Sequence, residues 1–181
     1  MTATTPIFLE VQFISIMEKH TVISVGRQFG SGGKSVAEAL GALMGIPVYD
    51  NELIARAAEE SGFNPELFRR SDEKMRIFGF GTIMNSISDE DLFNIQSKVI
   101  SDIASAGNAI FVGRASDYVL RDMKECLSVF ISAPMADRKK RISERMALSR
   151  EEAEKLIIKM DRGRENYYHF FTFGHWGVAS T

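Results

Sequence analysis

From residue 21 onward, apolar positions alternate between two patterns. Short unbroken runs occur in VISV at 22–25, PVYD at 47–50, AIFV at 109–112 and LSVFIS at 127–132. They have the length and β-branched content of strands buried on both faces. Between them, apolar residues recur at helical spacing. Val36, Ala39, Leu40, Leu43 and Met44 follow i, i+3, i+4, i+7, i+8 and predict a helix with those residues inward, ended by Gly45. Leu53, Ile54, Ala57 and Ala58 predict a helix capped by Asn51 and stopped at Gly62. Leu92, Ile95, Val99, Ile100 and Ile103 place another over about 91–106. A basic helix over 136–147 follows. Ser149 and Glu152 then form an S-x-x-E capping box that opens a last long helix, to about Tyr168. Residues 63–90 carry Pro65, RRSDEK and GFGT and read as an irregular insert. Strands alternating with helices predict an α/β fold, a parallel sheet flanked by helices on both faces.

Composition narrows the class. The 181 residues hold 22 Lys plus Arg against 24 Asp plus Glu, a net charge of −2, which excludes a nucleic-acid binder driven by bulk positive charge. An apolar content of 45% suits one packed domain and not a disordered chain. Cys126 is the single cysteine, so there is no internal disulfide or multi-cysteine metal site, which fits a cytoplasmic protein. No apolar run approaches the roughly 18 residues of a membrane span. Residues 1–16 lack the cationic start of a signal peptide and are interrupted by Glu10. They read either as an extra strand or disordered arm, or as a non-native leader ahead of Met17, with residues 17–181 forming the domain.

The segment with the most chemistry is GRQFGSGGKS, residues 26–35, between an apolar strand and an amphipathic helix. A glycine-rich loop there turns backbone N–H groups into a concavity, and the helix N-terminus adds positive potential, so phosphate is the natural guest. Gly30, Ser31, Gly32, Gly33, Lys34 and Ser35 are the candidate cradle, with Lys34 reaching terminal phosphates and Ser35 able to hold Mg²⁺. The Walker A spacing is not met: Gln28 stands six residues before Lys34 where glycine is expected. An ungapped alignment on Gly30-Ser31-Gly32 puts Gly33 at the lysine position. A glycine-rich turn with no ligand is the plain alternative.

Five segments, ISVGRQFGSGGKSVAEALG, IPVYDNELIARAAEESGF, AIFVGRASDYVL, DRKKRISERM and DRGRENYY, together resemble the cytidylate kinase-like family, P-loop relatives of nucleoside monophosphate kinases. The resemblance runs from about residue 22 to 177. It implies a three-layer P-loop nucleoside-kinase-like fold with a helical lid, ATP and Mg²⁺ as cofactors, and nucleotide substrates as partners. The implied reaction is phosphoryl transfer to a nucleoside monophosphate, CMP or dCMP first. It also implies a fifth strand and closing helix after HWG, so that the chain would be truncated. Asp50 and Arg56 match the ends of the family's D-T-G-x-x-Y-R acceptor stretch, while Asn51, Glu52 and Ala55 depart. Gly113 and Arg114 match its G-R-D motif, with Ala115 in place of the Asp. These departures keep two alternatives open: a P-loop kinase for another small metabolite, and an inactive nucleotide-binding protein.

Phosphoryl transfer needs guanidinium groups that fork onto phosphate oxygens. Arg138, Arg141 and Arg145 share a stripe at i, i+3, i+7, and Arg162 and Arg164 follow on the next helix, beside Asp161. With the resemblance, Lys34, Arg138 and Arg164 are the candidate catalytic residues. Asp50, Arg56, Arg114, Arg141 and Arg162 are the candidate acceptor-binding ones. A solvated basic face with Glu144 and Glu154 as partners is the alternative for each helical arginine, and a salt bridge for Arg114. Asp50 reads either as a ligand to the acceptor base or to Mg²⁺ water, or as a helix cap. Tyr167 and Tyr168 read as base-stacking rings or core. Trp176 reads as packing.

Overall fold

The strands are apolar and short, so they pair side by side, and the two central ones are covered from above and below while the edge strands are only half-buried. In the computed structural model, residues 20–50 and 89–177 are described. β1 (Val22–Arg27), β2 (Val48–Tyr49), β3 (Ala109–Val112) and β4 (Cys126–Ile131) form one sheet of order β2-β3-β1-β4. Every pairing is parallel, with Val22 opposite Ala109 and Cys126. The helices are α1 (Gly33–Met44), α2 (Asp89–Ala106), α3 (Ser116–Val119), α4 (Met135–Met146) and α5 (Arg150–Thr172). The predicted leader over 1–16, the helix at 51–61, most of the insert and Arg56 lie outside the described residues.

Strand alternation sorts the core into two layers. Val22, Ala109 and Phe111 pack with Val99, Ile100 and Ala104 of α2 on one face. Ile23, Val25, Ile110 and Val112 pack with Ala37 of α1 and with Ile46 on the other. The connection leaving β1 runs toward β2, while that leaving β3 runs the opposite way to β4. The crevice between β1 and β3 is therefore the switch point where open α/β sheets take their ligands.

The four strands, α2, α4 and α5 fall where the pattern predicts. Ser149 and Glu152 cap each other reciprocally, and α5 extends past Tyr168 to Thr172. α1 packs Leu40 and Met44 on the core as expected but differs in the rest of its face. Gly33, Ala37 and Gly41 are its buried residues, while Val36 is 51% and Leu43 69% exposed. The reason is distance: a Cβ on Gly41 would overlap Val48 Cγ2 and lie 2.8 Å from the Ile46 carbonyl. At Gly41 the helix lies so close to Val48 and Ile46 that only a small residue fits, while Leu40 and Met44 pack against the core beside it. Among the described residues, no helix is long and apolar enough to cross a membrane.

Glycine inside a helix normally costs about 0.5–1 kcal/mol relative to alanine. Gly41→Ala should nevertheless destabilise the protein, by about 1–3 kcal/mol from overpacking. Gly163→Ala in α5, where a Cβ meets nothing within 4 Å, should stabilise it by about 0.5–1 kcal/mol. Urea denaturation of the two variants checks the opposite signs.

Candidate functional site: a glycine loop facing an arginine-lined cavity

Leaving β1, the chain must turn into α1 within a few residues. Gly30 (φ 77°) and Gly32 (φ 89°) adopt the left-handed conformation this requires. At Gly30 a Cβ would also press within 3.0 Å of Ile142, so the loop is packed from behind by α4. Gly32 is the N-cap of α1 and offers no side chain to its first-turn amides. Ser31 turns inward, buried, and accepts from the Gly33 amide at 3.3 Å. The open cap therefore faces a cavity of about 590 Å³, lined by Gly30, Gly32, Gly33, Lys34 and Ser35.

The opposite wall is cationic. Among the described residues, seven Lys and Arg side chains and two carboxylates, Asp50 and Asp117, line the cavity, in a chain whose total charge is −2. Arg141 reaches from α4 to donate to the Gly30 carbonyl. Arg164 reaches from α5 to the Arg27 carbonyl at 3.1 Å and lies over the Phe29 ring, as does Arg145. Burial pulls the Arg164 guanidinium below its usual range, with Asp161 opposing the shift and Arg138 adding to it. Arg114 sits just past β3 with φ 63° and lines the same cavity. Asp50, at the end of β2, pairs with Lys34 at 2.6 Å. Lys34 is also 3.8 Å from Glu38.

Arg138 and Arg162 lie elsewhere. Arg138 is 5% exposed and absent from the cavity lining. Its guanidinium pairs with Asp161 and donates to the Phe29 carbonyl at 3.1 Å. Asp161 in turn accepts from the Phe29 amide at 2.7 Å. Both thus hold the glycine loop to α4 and α5. Arg162 is on the exposed side of α5. The two helices also pack through Ile142, Ala153 and Ile157, and through the Lys139–Glu154 pair.

Two residues escaped the sequence reading: Arg27, which lines the cavity, and Gln96, which bonds to two residues of its lining. Arg27 ends β1, the same strand-end logic that singled out Arg114. Its guanidinium is pulled down to about 9 by burial first, then by the charges of Arg164 and Arg114, against which Asp50 works. Gln96 is a buried polar residue on the apolar face of α2, donating to the Arg114 carbonyl at 3.2 Å and to the Tyr167 hydroxyl at 2.9 Å. Its signal is a single amide between Ile95 and Val99. Tyr168 donates to Asp117 at 2.8 Å; burial first, then that carboxylate, push its hydroxyl well above the usual range. Trp176 packs edge-on against Phe130, ring centroids 5.2 Å apart, and both line the cavity.

Removing one partner of a buried ion pair strands the other charge, at a cost of about 3–5 kcal/mol. Asp161→Ala should therefore lose stability on that scale in urea denaturation, whereas Arg162→Ala, on the exposed face, should stay within about 0.5 kcal/mol of the parent.

Comparison with known proteins agrees with this geometry. An uncharacterized protein from Eubacterium ventriosum ATCC 27560 superposes with a TM-score of 0.68 at 27% identity, over 88% of this chain and 82% of that one. Shikimate kinase from Bacteroides thetaiotaomicron superposes with a TM-score of 0.52 at 14% identity, over 84% and 83%, a likeness of fold. No curated protein matches the chain. Residues 22–181 match the sequence model of the cytidylate kinase-like family. That match begins at the first residue of β1 and takes in the glycine loop and both arginine-bearing helices, so the chain belongs to the cytidylate kinase-like family, with the fold of P-loop kinases.

Proposed function

We propose that this protein transfers the γ-phosphate of ATP to the phosphate of a nucleoside monophosphate, with CMP or dCMP as the acceptor. The observation that carries the reading is the concentration of positive charge around a glycine loop at a helix N-terminus. Such a surface is costly to hold together empty and is offset by a polyanion. In this reading the amides of residues 30–35 hold the triphosphate. Among the described residues no group of three or more His, Cys, Asp or Glu could hold a metal ion. Mg²⁺ would therefore rest on the Ser35 hydroxyl and on phosphate oxygens, the arrangement that ion favours, and when bound it neutralises charge on those oxygens.

Arg141, Arg164 and Arg114 face the loop from three different elements. Their planar forks suit the equatorial oxygens of a phosphoryl group in flight. The acceptor phosphate is already anionic, so no general base is required. Asp50, held by Lys34, and Asp117, held by Tyr168, suit binding roles better than proton abstraction. Arg56 remains a proposed acceptor contact, Arg162 lies outside this cavity, and Arg138 enters as a positioning residue that sets the loop. Tyr167, Phe130 and Trp176 offer aromatic surface for a base in the same cavity.

A second reading, a kinase for another phosphorylated metabolite, is favoured by one observation. Asn51, Glu52, Ala55 and Ala115 stand where the cytidylate kinase acceptor motifs have other residues. An ADP-release assay across a panel of monophosphates separates the readings. Turnover with CMP or dCMP, together with a CMP-induced rise in melting temperature, is expected. Turnover confined to another acceptor would favour the second reading, and none with any acceptor would contradict both.

A further inference from the structure

The glycine loop lacks a lysine where a Walker A loop carries one. In the ungapped register that position is Gly33, the first residue of α1. Lys34, one residue later, has its side chain 58% exposed and paired with Asp50 and Glu38.

A Cβ built on Gly33 would lie 2.5 Å from Arg27 Cβ and 3.2 Å from its Cγ. The stem of Arg27 thus runs through the volume that a side chain on residue 33 would use. Its far end lies against Gly113, where a Cβ would overlap Nη1 and lie 2.6 Å from Cζ. Gly113 has φ 77°. Two glycines, one at the start of α1 and one at the end of β3, therefore make room for a single arginine. Arg27 lines the cavity together with both of them.

We propose that Arg27 is the phosphate-binding cation of this loop, its guanidinium taking the place of the lysine that Gly33 cannot supply. The assignment rests on the reading of the cavity as a polyphosphate site. Among the described residues the Arg27 guanidinium makes no ion pair, although Asp50 lies near enough to favour its charge. Arg114 and Arg164 lie near enough to repel it. Three guanidinium groups thus converge on the loop from β1, β3 and α5. A polyanion between them would relieve their mutual repulsion. Burial first, then Arg164 and Arg114, pull the Arg27 guanidinium down to about 9.

Isothermal titration of the full chain with ATP–Mg²⁺ and with tripolyphosphate, which has no base, tests this in the parent, Arg27→Met and Lys34→Met proteins. Arg27→Met keeps the stem packed on Gly33 and removes only the charge. It should weaken both ligands by roughly ten- to a hundredfold, while Lys34→Met weakens them only a few-fold. Without ligand, Arg27→Met should melt at or above the parent temperature, because a crowded charge has gone. Arg27→Gln gives the same reading if Arg27→Met does not fold. Parental affinity in the Arg27 variants, with a large loss in Lys34→Met, would overturn the assignment and leave the proposed function standing. A lowered unliganded melting temperature with binding intact would give Arg27 a packing role and overturn it as well. A parent protein that binds neither ligand would bring down the proposed function and this assignment together.

Discussion

The Asp161 carboxylate ties the glycine loop to the helical hairpin above it. It accepts the Phe29 amide at 2.7 Å and pairs with Arg138, whose guanidinium returns to the Phe29 carbonyl. Both peptide groups of one loop residue are thereby fixed to α4 and α5. Burying such a pair gains little net stability over an apolar one, because desolvation offsets most of the Coulombic attraction. What it supplies here is position. The loop cannot shift without uncovering a charge, so Gly30 and Gly32 stay presented to the cavity, and Arg141 and Arg164 stay above them. The remaining geometry of the site depends on that fixed relation.

Charge in the cavity is held against resistance. Arg27 and Arg164 are both depressed by burial, and Arg27 further by Arg164 and Arg114. An anionic guest, as the proposed function requires, would relieve that resistance. Gln96 and Asp117 support the arrangement from the side. Gln96 fixes the Arg114 carbonyl and the Tyr167 hydroxyl, and Asp117 holds Tyr168. The Ser24–Ser116 contact at 2.6 Å joins β1 to α3.

Much of this was legible in the chain. Apolar runs marked the four described strands; β1 and β3 are covered on both faces and leave no polar face to break the run, whereas the edge strand β4 is apolar although its Leu127 is exposed. The glycines at 30, 32 and 33 marked the loop, since only a tight strand-to-helix turn needs so many. The inward face of α1 was legible only in part: Leu40 and Met44 pack on the core, Val36 and Leu43 do not. Periodicity selects the large apolar residues, yet the close approach of Val48 to Gly41 turns the small ones inward. Arg138 and Arg141 shared one stripe in sequence and took different tasks, one buried on Asp161 and one at the Gly30 carbonyl. Three residues of helix turn a side chain by a fraction of a face, enough to separate core from cavity. Arg27 was hidden because its importance rests on glycines at 33 and 113, which are adjacent to it only in space.

The central claim is that a polyphosphate sits on the amides of the glycine loop beneath these arginines. Amide and arginine side-chain NMR during titration with ATP–Mg²⁺ tests it most directly. The account predicts the largest shifts at the amides of Gly30, Gly32, Gly33 and Lys34 and at the side-chain Nε–H groups of Arg27 and Arg164. Saturable shifts confined to residues outside the loop, with those amides unmoved, would contradict it.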